Sequence, residues 1–212
     1  MAIIETKIIS RPNASIPFFS QTDNATLLAA KTTMGSFNWV TNTETYQKGV
    51  NASGSHIVER NYSSDLLTQT TKMTFDSLST WSTVDSALSI ALDKEYSAYV
   101  EDNELINPAS DSEVAQYTLT GIDAPFTCTT TYTYNSNTLT GYTLFESFIE
   151  VIEASDKLTG FTNTGTQLVA VHTYTNAADF TENHWRDFNF VTSLHNGGVT
   201  RTISYALVSN DA

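Results

Sequence analysis

The chain has 212 residues, room for one large domain or two small ones, and its 40% hydrophobic and 11% aromatic content can bury a core, which excludes a disordered chain. Its 10 Lys and Arg stand against 23 Asp and Glu, a formal net charge of -13. That excludes the basic face a nucleic-acid binder needs and disfavours anionic membranes. One cysteine, Cys128, excludes an intramolecular disulfide, and no CxxC or Cys/His ligand spacing occurs.

Roughly one residue in six is threonine. A hydroxyl-rich, lysine-poor surface suits β structure, because Thr is β-branched and covers a pleated face without bringing charge to it. The start, Met1-Ala2-Ile3-Ile4-Glu5, has no basic region followed by a long apolar run. No apolar stretch reaches the ~18 residues of a membrane span. The expectation is a chain made in a host cytoplasm without a signal peptide and without membrane insertion.

Residues 1–25 read as an extended N-terminal arm. Ile3, Ile4, Ile8 and Ile9 precede the breaker Arg11-Pro12-Asn13, and Pro17 follows, so an edge strand or an intersubunit tie is expected. Phe18-Phe19 reads as a core plug. Residues 26–106 form a β-rich region ending in a helix. After mixed strands to Val50, the turn Ser53-Gly54-Ser55 leads to a strand from His56, and Leu66 to Phe75 is a second extended run expected to pair with it antiparallel. A helix is expected from near Ser82, with Val84, Leu88, Ala91, Leu92, Tyr96 and Tyr99 as its apolar stripe, Asp85 in its first turn, and its end before Asn107-Pro108.

After a linker at Asn107 to Asp111, residues 112–212 read β-β-α-β-α-β, with one continuous domain over the whole chain as the alternative. Val114 to Thr120 is a strand. Phe126 to Tyr134 is another, with Phe126, Cys128, Thr130, Tyr132 and Tyr134 on one buried face. Thr143-Leu144-Phe145-Glu146 is a capping box opening a helix that carries Phe148, Ile149 and Ile152. Gln167 to Thr175 is a strand, Asn176 caps a helix bearing Ala177, Phe180, Trp185 and Phe188, and Val199 to Val208 closes the chain after Asn196-Gly197-Gly198. The expected class is α+β: an antiparallel or mixed sheet with helices packed on one face, repeated β-α (ferredoxin-like) units, and a β-rich N-terminal part. Cys128, Tyr132, Phe148, Ile149, Val171, Phe180 and Trp185 are its expected C-terminal core.

No constellation selects a chemistry, so no catalytic, cofactor-binding or metal residue and no cofactor is assigned. His56, His172, His184 and His195 lack metal-ligand spacing. GxSxG, GxGxxG and GxxxxGK[ST] are absent. The pairs Asp93/Glu95, Glu101/Asp102 and Glu150/Glu153 read as solvated helix faces, His184-Trp185-Arg186-Asp187 as a core Trp with surface neighbours, and the sequons at Asn13, Asn24, Asn51 and Asn61 as the outcome of an Asn/Ser/Thr-rich composition.

The Thr/Tyr strands, the Pro-bounded start and the repeated strand-then-helix phrase together resemble virion proteins of tailed bacteriophages. That resemblance implies a non-enzymatic structural protein of the tail, neck or head surface, with copies of itself and other virion proteins as partners. One alternative is a receptor- or glycan-binding attachment module, with Trp39, Trp81 or Tyr residues stacking on a host-surface glycan. Another is a small α+β enzyme.

Overall fold

Period-two alternation is the signal that the fold follows most closely. The computed structural model describes residues 1–11, 17–18, 37–43, 45–86, 114–134, 155–164, 166–183 and 199–209. Over these the chain is mostly antiparallel β-sheet with two helices. It divides into two units, Met1–Ser77 with Lys94–Thr120, and Leu78–Asp93 with Gly121–Ala212.

The first unit holds β1 (Ile3–Ser10), β2 (Phe37–Asn42), β3 (Tyr46–Asn51), β4 (His56–Tyr62), β5 (Thr68–Phe75) and β6 (Val114–Thr120), in the spatial order β2-β3-β4-β5-β1-β6. The expected hairpin is present, with His56 opposite Phe75 and Tyr62 opposite Gln69. The expected N-terminal arm is corrected: Ile3–Ser10 is an internal strand, paired to β5 on one side and β6 on the other. The strand ends at Ser10, and the Arg11 amide turns to the Leu67 carbonyl at 2.8 Å. β6, expected with the C-terminal region, hydrogen-bonds to β1 instead.

One face of this sheet is buried by Ile3, Phe75 and Leu119, with His56 stacked on Phe75 at 4.7 Å. Phe18 is a core residue, set edge-on to Tyr62 at 5.9 Å, and the Arg11 guanidinium lies 4.2 Å over its ring. On the other face Glu59 lies between its cross-strand neighbours Lys48 and Lys72, at 3.4 and 3.8 Å.

The second unit holds β7 (Phe126–Tyr134), β8 (Leu158–Asn163), β9 (Gln167–Tyr174) and β10 (Val199–Leu207), in the order β10-β7-β9-β8 and again antiparallel. The set β6-β1-β5-β4 within the first sheet repeats this order. β8 is an addition: the sequence reading places no strand between the helix opened at Thr143 and the strand at Gln167. Thr164 turns it into β9, its amide donating to the Gln167 carbonyl at 2.9 Å.

The described helices are α1 (78–86) and α2 (177–183), and both pack on one face of this sheet. α1 starts at residue 78, a turn before the expected Ser82, so Trp81 rather than Val84 opens its apolar stripe; Trp81 has no exposed surface. Asp85 consequently lies beyond the first turn. α2 begins as expected after Asn176, whose Oδ1 accepts the Asp179 amide at 3.0 Å, while Asp179 accepts the Thr175 amide at 2.8 Å and pairs with Lys157 at 2.7 Å. Asn176→Ala is therefore expected to cost about 1 kcal/mol, read as a lowered thermal midpoint.

Phe126, Cys128, Thr130 and Tyr132 are buried as expected, alongside Leu168, Ala170 and Tyr174 of β9. Val171 is corrected: alternation puts it on the opposite face, where it is half-buried. The linker at 107–111, the capping box at Thr143, and Phe148, Ile149, Trp185 and Phe188 lie outside the described residues.

Candidate functional site

β10 is an edge strand, and a strand edge left open invites pairing with another chain. α1 covers it with side chains. Ser82 Oγ accepts the Tyr205 amide at 2.9 Å, and Ser86 Oγ accepts the Ile203 amide at 2.8 Å while donating to the Ile203 carbonyl at 2.9 Å. Spacing i, i+4 on the helix matches spacing i, i+2 on the strand, so two serines stand in for a neighbouring strand. The Tyr205 hydroxyl donates to Asp85 at 2.6 Å, and the Tyr205 ring stacks on Trp81 at 3.5 Å.

Beneath this latch lie several buried titratable side chains. Arg201, Cys128 and His172 are buried, and strand register sets Cys128 directly between Tyr205 and His172 on one face. Burial raises the Asp85 carboxyl, opposed by the nearby Arg201 charge and the Tyr205 hydrogen bond. Burial pushes the Cys128 thiol up to about 12, with Thr130 Oγ1 at 3.7 Å working weakly against it. Burial also lowers His172, and neither of its ring nitrogens has a hydrogen-bond partner among the described residues.

A cysteine beside a histidine, with an aspartate near, is the skeleton of a nucleophilic site. Burial works against that chemistry, because a thiol pushed up to about 12 stays protonated and an imidazole lowered by burial favours its neutral form; the nearby Arg201 charge opposes the shift of the thiol without cancelling it. Cys128 has no exposed surface for a substrate to reach. It is expected to stay unmodified by a thiol-reactive disulfide reagent in native buffer and to react fully in urea; rapid native labelling would contradict this account.

Few of the other candidate residues are among those described. His56 is buried in the first unit, and His184 and His195 lie outside the described residues, as do the three carboxylate pairs and His184-Trp185-Arg186-Asp187. Among the described residues no group of three or more His, Cys, Asp or Glu is placed to hold a metal ion. Among them no helix is long and apolar enough to cross a membrane. Trp81, named for glycan stacking, is corrected to a core residue, and Trp39 is half-buried opposite Gly49. Asn51 serves the β3–β4 turn, its Oδ1 accepting the His56 amide at 3.0 Å.

A second candidate is a threonine-rich surface of the kind the composition leads one to expect. The face of the second sheet turned away from α1 and α2 carries the rows Thr202–Thr131–Val169–Thr162 and Ser204–Thr129–Val171–Gly160. Arg201 is the one Lys, Arg, Asp or Glu in these four strands, and it is buried on the inner face. The outer face is thus free of charge.

No family model matches the chain, and no curated protein matches it. Among solved structures, one assigned as a glycine cleavage system transcriptional repressor is similar over 98% of both chains, at 9% identity and a TM-score of 0.23. A likeness that slight carries no argument.

Proposed function

We propose that the chain is a non-enzymatic structural protein of a viral particle of the tailed-bacteriophage kind, assembling through protein–protein contacts in the tail, neck or head surface. The observation that carries this reading is the charge-free outer face of the β10-β7-β9-β8 sheet in a chain of net charge -13. Interface centres are depleted in charged residues, and this face lacks them while the outer face of the first sheet carries Lys48, Glu59 and Lys72. The burial and raised pKa of Cys128 favour a scaffold over an enzyme. On this reading its partners are copies of itself and other virion proteins, and its location is the virion.

The finer architecture belongs to the same proposal: both units follow a ferredoxin-like strand plan, the first extended by the β2–β3 hairpin and the second completed by its helices. Support comes from the order β10-β7-β9-β8 and its repeat β6-β1-β5-β4, the order in which that plan lays its four strands. β7 and β8 run in the same direction with β9 between them, so a long crossover joins them, and the expected helix at Thr143 falls within it.

Mass spectrometry of gradient-purified particles tests the function. A constant copy number per particle is the expected result. Its absence from particles, with the chain abundant in the soluble lysate, would overturn the assignment.

A further inference from the structure

The outer face of the second sheet differs from that of the first in a way that bears on what meets it. The first displays the charged Lys48–Glu59–Lys72 ladder. The second is built at its centre from Thr, Val, Ser and Gly, side chains that end at nearly one height and lose little rotamer freedom when covered. At Gly160 an added Cβ would sit 3.4 Å from Val171, so its absence keeps that edge of the row low.

Hydroxyls at the margins of this face do not oppose burial either. Thr159 and Thr173 share a hydrogen bond of 2.8 Å, Thr127 Oγ1 donates to the Ala206 carbonyl at 3.4 Å, and Thr200 Oγ1 to the Thr133 carbonyl at 3.4 Å. Their polar atoms are engaged within the sheet, so covering them orphans none of these groups. The neighbouring methyls then supply an apolar, close-packing surface.

Charge and area select the occupant. Two copies, each at -13, repel wherever their acidic surfaces approach, and a charge-free face lets them meet without opposing carboxylates. Four strands at ~4.8 Å spacing and ~3.4 Å per residue present a projected face of roughly 500 Å². Two such faces together reach roughly the 1,000 Å² from which a specific interface is argued, and a chemically uniform sheet face can meet its own copy about a two-fold axis.

We infer that this face is the surface through which two copies of the chain associate, stacked sheet on sheet. The inference rests on the assembly reading above and names its contact. The test uses the full chain. Sedimentation is expected to give a dimer at micromolar concentrations, and Thr202→Lys, Thr129→Lys or both to weaken it at least ~tenfold, about 1.4 kcal/mol. Circular dichroism checks folding, and Thr202 is exposed in the protomer.

Should the lysine variants misfold, Thr131→Cys decides. Under mild oxidation it is expected to yield a covalent dimer, since Cys128 is buried and does not compete, while Ser53→Cys on the exposed turn of the first unit yields little. A monomeric wild type up to ~100 μM, an association the lysines leave unchanged, or equal cross-linking at both positions overturns the inference. These outcomes are separable from the particle assignment: a monomer found at constant copy number in particles sinks only this interface, and a dimer absent from particles sinks only the assignment.

Discussion

Replacing Trp81 by alanine is expected to destabilise the second unit by about 3–5 kcal/mol, the usual cost of emptying a buried aromatic site. Trp81 has no exposed surface, stacks on Tyr205 at 3.5 Å and 4°, and meets Phe180 edge-on at 5.6 Å. Phe126, Tyr174 and Phe180 close the cluster around it. The loss is a large share of a typical domain stability of 5–15 kcal/mol. Trp81 also seats α1, so the variant loosens the Ser82 and Ser86 hydrogen bonds that cover the β10 edge, and aggregation is expected to rise with instability. Urea unfolding followed by far-UV circular dichroism reads the first effect, with Thr83→Ala on the exposed side of the helix as a near-neutral control. A loss below ~1 kcal/mol would show that Trp81 is not the anchor of this unit.

Stability is expected to fall as pH drops from 6.5 toward 4, with about 3 kcal/mol of the loss from His56. His56 is 3% exposed, and burial holds its pKa down at about 4 against 6.5 when unfolded. The unfolded chain therefore binds the proton first. The stabilisation is complete above 6.5 and disappears as pH falls through the folded value. His172, lowered by burial in the second unit, acts in the same direction. Asp85 acts in the opposite one, because its raised folded pKa makes it lose stability as pH rises from 3.8. The comparison that isolates the effect is His56→Phe, which keeps a ring on Phe75 without a titrating group. Its stability between pH 6.5 and 4.5 is expected to be flatter than that of the wild type, and an unchanged slope would refute the assignment to His56.

The acid response was hidden in the sequence for a simple reason. His56 and His172 look like any other histidines in an alternating strand, and only the neighbour that covers them decides whether they ionise. Cys128 is the complementary case: its alternation with Phe126, Thr130 and Tyr132 marks a buried face directly, but its position between Tyr205 and His172 comes from pairing across residues far apart in the chain.

Local pattern by itself determined several things about this protein. Alternation marked β4, β5, β6, β7, β9 and β10 to within a residue or two, because the side-chain period of a strand is a property of a few consecutive residues. Asn176 marked the start of α2, because a cap is made within one turn. Composition fixed the acidity and the threonine content from which the uncharged face is built.

Tertiary structure alone decided the rest. Ile3–Ser10 reads equally well as an arm or a strand, and its place between β5 and β6 depends on edges that form some 60 and 110 residues later. α1 carries an apolar stripe that would suit either sheet; it belongs to the second unit because Tyr205, Ile203 and Phe180 meet its serines and Trp81 there. That the outer face of β10-β7-β9-β8 is free of charge is likewise invisible until register aligns four separate segments, since each strand contributes only its alternate residues.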